Sequence, residues 1–218
     1  MKVVTLLKAG VLGAALTLAG CQSAYYAAME QVGVHKRDIL VDRVEEVRDA
    51  QDEASEQFTD ALTQFRQVVQ FNGGELADLY DDLNAEYNDS KAAADEVHAR
   101  IAQVESVAEA LFEEWEAELD QYQSATLKAQ SASSLRQTKQ RYRSLVKTMK
   151  QAEGRMQPVL RALNDNVLYL KHNLNAQAVG ALKGEFGTLQ RDIDRLIKDM
   201  QRSIDASDAF IQSLEQQG

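Results

Sequence analysis

The stretch Leu40-Val41-Asp42-Arg43-Val44-Glu45-Glu46-Val47-Arg48-Asp49-Ala50-Gln51 decides the fold class, with its continuation to Val68. Leu40, Val44, Val47, Gln51, Ala54, Phe58, Ala61, Phe65 and Val68 recur at alternating steps of four and three, with charged residues between them. That period keeps one stripe of a helix facing a partner, as in coiled coils and helical bundles. Asn72-Gly73-Gly74 then interrupts the pattern with the permissive backbone that a helix end and a tight turn require.

Working outward, three more runs follow. The second passes through Leu76, Tyr80, Leu83, Tyr87, Ser90, Ala94, Val97, Ile101, Val104, Ala108, Leu111 and Trp115, and fades at Tyr122 into the polar stretch Gln123–Ser133. There Ser134 with Gln137 resembles a capping box. The third runs from Leu135 through Thr138, Tyr142, Leu145, Met149, Ala152, Met156, Val159, Leu163, Val167 and Leu170 to Leu174, with Pro158 inside it as a predicted kink. Asn173 and Asn175 mark the next break. The last run takes Val179, Leu182, Phe186, Leu189, Ile193, Leu196, Met200, Ile204, Ile211 and Leu214. The expected fold is all-α: an elongated antiparallel bundle of about four long helices with coiled-coil-like packing. The polar seam residues Gln51, Ser90 and Thr138 weaken it locally or fix its register.

Composition agrees. The chain has 218 residues, with one Pro, one Cys and 6% aromatic residues, too little turn and strand chemistry for sandwiches, barrels and most doubly wound sheets. A hydrophobic content of 44% excludes a disordered chain, and the lone Cys excludes an internal disulfide. A formal charge of −10 argues against wholesale nucleic-acid binding.

The first twenty residues read as an address. Met1-Lys2 and Lys8 form a short basic region, and Ala9 to Ala19 an apolar one of signal-peptide length. Leu18-Ala19-Gly20-Cys21 looks like the lipobox of bacterial lipoproteins, a resemblance confined to the leader. It implies cleavage before Cys21 and acylation of that residue. Several acyl chains on one residue anchor stably where a single chain does not. The competing readings are an ordinary secretory signal followed by a core Cys, and an uncleaved membrane helix. The second is disfavoured because eleven residues span only about 17 Å. Gln22 in place of Asp after the Cys favours, by resemblance to Gram-negative lipoproteins, the outer over the inner membrane. The expected organisation is thus a lipoprotein signal peptide over 1–20, a lipidated N-terminus and tether over 21–34, and a helical bundle over 35–218.

Charge is unevenly distributed. Glu75 to Asp120 holds 15 acidic residues against Lys91 and Arg100, while Gln121 to Ala152 holds no acid but has Lys128, Arg136, Lys139, Arg141, Arg143, Lys147 and Lys150. A hairpin closed by Gln123–Ser133 would set Glu113, Glu114, Glu116, Glu118 and Asp120 beside that basic cluster. It would also return the cluster to the anchored end, near His35-Lys36-Arg37. The basic residues either pair with the second helix or, at His35, Lys36, Arg37, Arg136, Lys139, Arg141 and Arg143, contact the membrane or a partner.

Motifs for chemistry are scarce. His35, His98 and His172 fall on different helices; Asp95 and His98 have the i, i+3 spacing of di-metal bundles, but no second Glu-x-x-His accompanies them. The chain has no Gly-rich phosphate loop, Gly-x-Ser-x-Gly or His-Glu-x-x-His. Glu113-Glu114-Trp115-Glu116 reads as a solvated face. The expectation is no catalytic residue, no metal and no cofactor. Gly180, Gly184 and Gly187 at helical spacing are a stripe for close helix approach, a hinge, or an irregular connection from Asn175 to Gly187. Tyr25, Tyr26 and Met29 are interface anchors or plain linker.

Two segments carry a wider resemblance. Tyr25-Tyr26-Ala27-Ala28-Met29-Glu30 with Gly33 and His35 to Val44, and Leu168-Tyr169-Leu170-Lys171-His172-Asn173-Leu174-Asn175-Ala176, resemble an uncharacterised family of Gram-negative lipoproteins, a domain of unknown function, over nearly all of the mature chain. The resemblance implies a helical lipoprotein and transfers no activity. The functional expectation is a non-enzymatic scaffold or adaptor, anchored in the outer membrane by its N-terminal lipid and facing the periplasm. It would meet an envelope protein or a second copy of itself, and no nucleic acid. The alternative is a module that binds a lipid or apolar ligand between its helices.

Overall fold

The computed structural model describes Met29 and residues 33–216. Cys21, Tyr25 and Tyr26, and with them the leader and most of the tether, lie outside the described residues. Four helices follow one another: α1 Lys36–Val69, α2 Leu76–Leu119, α3 Ala125–His172 and α4 Ala176–Glu215. At 1.5 Å per residue they are about 50–70 Å long. Helix α1 packs on α2, α2 on α3, α3 on α4 and α4 back on α1, an up-down-up-down ring around one core. The expected all-α antiparallel bundle is the fold observed.

Cross-links at several heights fix the antiparallel register. Ser90 Oγ donates to the Gln57 carbonyl at 3.3 Å and Arg100 bonds Glu46 at 2.7 Å between α1 and α2. Tyr142 and Phe210 meet between α3 and α4, and Phe65 and Phe186 between α1 and α4. The seam residues of the first run are buried throughout, with Phe58, Phe65 and Leu40 completely enclosed. Gln51, Ser90 and Thr138 are buried as the spacing demands. Neither side-chain atom of Gln51 finds a hydrogen-bond partner among the described residues.

Helix ends follow local chemistry. Asn72-Gly73-Gly74 does break the chain, with φ of 144° at Gly73 and 113° at Gly74, a region closed to most side chains. Two other boundaries differ from expectation. Gln123–Ser133 is not a linker: helix α3 begins at Ala125, capped by Ser124, whose Oγ accepts from the Leu127 N–H at 3.3 Å. Ser134 therefore lies inside a helix and caps nothing. The extra turns have little apolar surface to bury, and are tied instead by Trp115 Nε1 donating to Ser131 Oγ at 2.8 Å and Lys128 bonding Asp120 at 3.0 Å.

Likewise the connection before α4 ends at Asn175, whose Oδ1 accepts from the Gln177 and Ala178 N–H groups at 3.0 Å each. Gly180, Gly184 and Gly187 are helical and exposed, and a Cβ added at any of them would meet nothing within 4 Å. Among the described residues no other helix approaches them, and the segment from Ala176 to Gly187 is neither loop nor irregular connection. Helix α3 runs as one element through Pro158. The proline has no N–H for the Gly154 carbonyl; both residues are exposed, so water can reach that oxygen.

Near its end α4 departs from the expected seam. Ser203 and Ser207 are fully buried and Phe210 nearly so, while Ile204 is only partly covered. The four-three rhythm from Met200 selects these positions by geometry, although Ile204 is the more apolar residue.

Candidate functional site

The feature that sets this bundle apart from a plain helical rod is helix α3. It carries ten Lys and Arg against two acids, while neighbouring α2 carries two against thirteen. Part of that basic charge is used internally. Lys128 bonds Asp120 at 3.0 Å, Lys139 bonds Glu116 at 2.6 Å and Lys150 bonds Glu105 at 2.5 Å. Lys139 also lies 5.3 Å from the centre of the Phe112 ring. One link has the opposite polarity, His98 Nδ1 to Glu153 Oε1 at 2.5 Å. Of the acids expected beside the cluster, Glu116 and Asp120 pair with it, and Glu114 bonds Lys36 of α1 at 3.1 Å.

The seven residues expected at a membrane or partner contact therefore separate. Lys36 and Lys139 are engaged within the bundle. Arg37 is half-buried and lines a cleft with Glu114, Trp115 and Glu118 of α2. His35 precedes α1, its N–H donating to Asp38 Oδ2 at 3.4 Å. Arg136, Arg141 and Arg143 are exposed and form no ion pair among the described residues.

These three do not share one face. Arg136 and Arg143 stand seven residues apart on the outward ridge of α3, and the same ridge carries exposed Lys147 and Arg161, also without an ion pair among the described residues. From Arg136 to Arg161 the ridge runs about 38 Å. Lys147 and Arg161 fall outside the expected contact set, although steps of seven, four and fourteen residues place them in line. Arg141 instead turns toward α4, at the rim of an open groove of ≈ 570 Å³ with Leu145 and Phe210 in its floor.

Elsewhere the rod is acidic. On the α1–α2 side, burial and the neighbouring Asp60, Asp89 and Asp82 push the Glu86 carboxyl above its ordinary value. Between α3 and α4, Asp199 is almost wholly enclosed and is bonded by Arg155 and, at 2.6 Å, by Arg202. Its burial alone would raise the carboxyl; the bonds from Arg155 and Gln151 and the charges of Arg155 and Arg202 outweigh that and hold it below its ordinary value. Beneath the groove, burial together with Glu105 and Glu109 pushes the Tyr142 phenol up to about 12. No three His, Cys, Asp or Glu side chains converge to hold a metal among the described residues. No helix among them is long and apolar enough to cross a membrane.

The family described as "Protein of unknown function (DUF2959)" matches residues 25–214. The chain belongs to this family. The match spans α1 to α3 whole and α4 up to its last residue, so the basic α3 and the acidic α2 both fall within the DUF2959 region. No curated protein matches the chain.

Proposed function

We propose that this DUF2959 protein is a non-enzymatic scaffold or adaptor of the bacterial envelope, lipidated at Cys21, held in the outer membrane and facing the periplasm. Leu18-Ala19-Gly20-Cys21 and the residue Gln22 support the anchor and its address. The observation that carries the adaptor role is the outward ridge of α3. Among the described residues, Arg136, Arg143, Lys147 and Arg161 stand exposed and without ion pairs on an otherwise acidic rod. An internal role would have paired them with the abundant carboxylates of α2, as it has Lys139 and Lys150. Left free in a row, they offer an acidic protein surface a complementary face that orients the encounter.

Photo-crosslinking in cells from position 143, with mass spectrometry of the membrane fraction, tests this reading. One dominant protein adduct, lost when Arg136, Lys147 and Arg161 become Gln, is the expected result. Adducts only to lipid or to the chain itself would sink the adaptor role. The anchor has its own test: Cys21→Ala should abolish metabolic labelling with palmitate and release the chain from membranes.

A second reading is favoured by the α3–α4 groove. Its apolar floor and polar rim have the character and size of a small-molecule site, which supports a module that binds an apolar ligand.

A further inference from the structure

The groove beside Arg141 has a chemistry that the ridge does not share. Its floor is Leu145 of α3 and Phe210 of α4, both nearly inaccessible to solvent, extended by the small side chains Ala206 and Ala209. Here α4 presents small side chains opposite the polar flank of α3. Tyr142 backs the floor. Its ring packs edge-on against Phe112 at 5.3 Å and lies 6.5 Å from Phe210. The floor is therefore a braced aromatic and aliphatic surface.

The rim is as informative. Gln137, Arg141, Ser144 and Thr148 succeed one another along one flank of α3, over about 16 Å. No carboxylate lines the groove, although the chain as a whole carries a net charge of −10. Arg141 is the only charged residue among those lining it, and it has no ion-pair partner among the described residues. Arg136 and Arg143, on the outward ridge of the same helix, are not among the residues that line it.

From these features we infer that the groove binds a single-chain anionic amphiphile, its apolar chain on Leu145, Ala206, Ala209 and Phe210 and its carboxylate or phosphate head on Arg141. The inference rests on the second functional reading and gives it a ligand class. The groove is long and open, which suits an extended chain better than a compact ring system. A guanidinium pairs with either kind of head through two parallel N–H···O bonds. A cationic or neutral head would leave Arg141 without a partner and gain nothing from the absence of carboxylates.

The test uses the full chain carrying Cys21→Ala, so that no acyl group of its own competes, with dansyl-undecanoic acid as anionic probe and N-phenyl-naphthylamine as neutral probe. Saturable uptake of one anionic probe per chain is expected. Arg141→Gln should weaken it about tenfold, equivalent to ~1.4 kcal/mol. Ala209→Trp fills the floor and should exclude both probes. Should that variant fail to fold, Ser144→Glu sets a carboxylate on the rim at a solvent-exposed position, and should expel the anionic probe while sparing the neutral one. Displacement by palmitate alone, by lysophosphatidylglycerol alone or by both identifies the head; displacement by neither overturns the inference. If the neutral probe binds in an Ala209→Trp-sensitive way while the anionic probe ignores Arg141→Gln, the ligand class is wrong and the second reading stands. If neither probe binds, both fall. Anionic uptake that is indifferent to every variant places the site elsewhere and also refutes the assignment. A wild-type lipidated chain that refuses the probe its Cys21→Ala counterpart accepts would make the chain's own acyl group the occupant, against a separate ligand.

Discussion

In the α1–α2 hairpin the glycines sit where the backbone demands them, at Gly73 and Gly74 with φ of 144° and 113°. In the α3–α4 hairpin Gly180, Gly184 and Gly187 sit on an exposed helical face with open space around each. The interiors differ in the same direction. Helix α1 buries Gln51 and Gln64 among Phe58, Phe65, Val44 and Leu40, while α4 buries Asp199, Ser203 and Ser207 among Ile193, Leu196 and Met200. The first hairpin is explained largely by packing, Gln51 being its one completely buried polar side chain without a hydrogen-bond partner among the described residues. The second holds residues that packing would not choose, and both the α3 ridge and the groove belong to it. A helix that keeps destabilising residues on its surface and polar residues in its core is meeting a requirement besides stability, and the two hairpins can be set against each other experimentally.

The largest difference should come from the cores. Phe58→Ala removes a completely enclosed ring from α1 and should cost about 3–5 kcal/mol in urea unfolding. Ser203→Ala, also fully enclosed on α4, should be neutral or stabilising, because the Ser203 hydroxyl has no hydrogen-bond partner among the described residues. Equal losses at both sites would show that α4 is packed as tightly as α1 and would remove the contrast.

Next in size is Asp199. Asp199→Ala leaves Arg155 and Arg202 without their carboxylate, and should destabilise by about 1–3 kcal/mol. The pH dependence has a definite sign. The folded carboxyl is held below its ordinary value of 3.8, so its contribution is fully present above that pH and is lost as pH falls through the lower folded value. Melting temperature of the wild type should therefore fall more steeply below about pH 4 than that of Asp199→Asn. Parallel curves would mean that the pair adds nothing.

The same contrast governs what can be read from the residues. The seam from Leu40 to Val68 is legible in full because every four-three position but Gln51 is apolar. At the end of α4 the period and the hydropathy disagree, and reading hydropathy selects Ile204 over Ser203. The start of α3 is hidden for a related reason. Residues 125–134 offer as apolar side chains only alanines and the exposed Leu127, and their helix depends on the Ser124 cap and on links to Trp115 and Asp120, which periodicity does not encode. Of the contact residues, charge clustering picks out the helix. It does not separate Lys139, which turns to Glu116, from Arg136 and Arg143, which face outward. Helical spacing would have added Lys147 and Arg161 to the ridge.

Smaller effects are expected from the glycines. Gly180→Ala, Gly184→Ala and Gly187→Ala each meet open space in a helical backbone, and each should stabilise by about 0.5–1 kcal/mol. The decisive readout is the pairing of stability with function. A triple variant that melts higher yet loses its crosslinked partner in cells would give the glycine face a role in contact, whereas one that melts higher and keeps the partner would leave the glycines neutral. Failure to melt higher would mean that the face is already covered in solution.

The smallest predicted effect joins the two hairpins. His98 on α2 meets Glu153 on α3 at 2.5 Å. The hydrogen bond with Glu153 and the charge of that carboxylate raise the imidazole above its ordinary 6.5, with Asp95 and Glu105 adding to them. The protonated form is the one favoured in the fold, so its contribution is complete below 6.5 and disappears as pH climbs through the raised value. Both the direction and the residue can be checked by following the His98 ring proton by NMR in the wild type and in Glu153→Gln, which should return the midpoint toward 6.5. Stability measured across the same range should drift downward in the wild type and less in His98→Gln. Because the ring is largely exposed, solvent screens the pair and the drift will be slight. An unmoved midpoint in Glu153→Gln would show that the contact is not kept in solution. The ion pairs joining α2 to α3 would then be those of Lys139 and Lys150, which reach carboxylates of α2, and of Lys128, which reaches Asp120 just beyond its end.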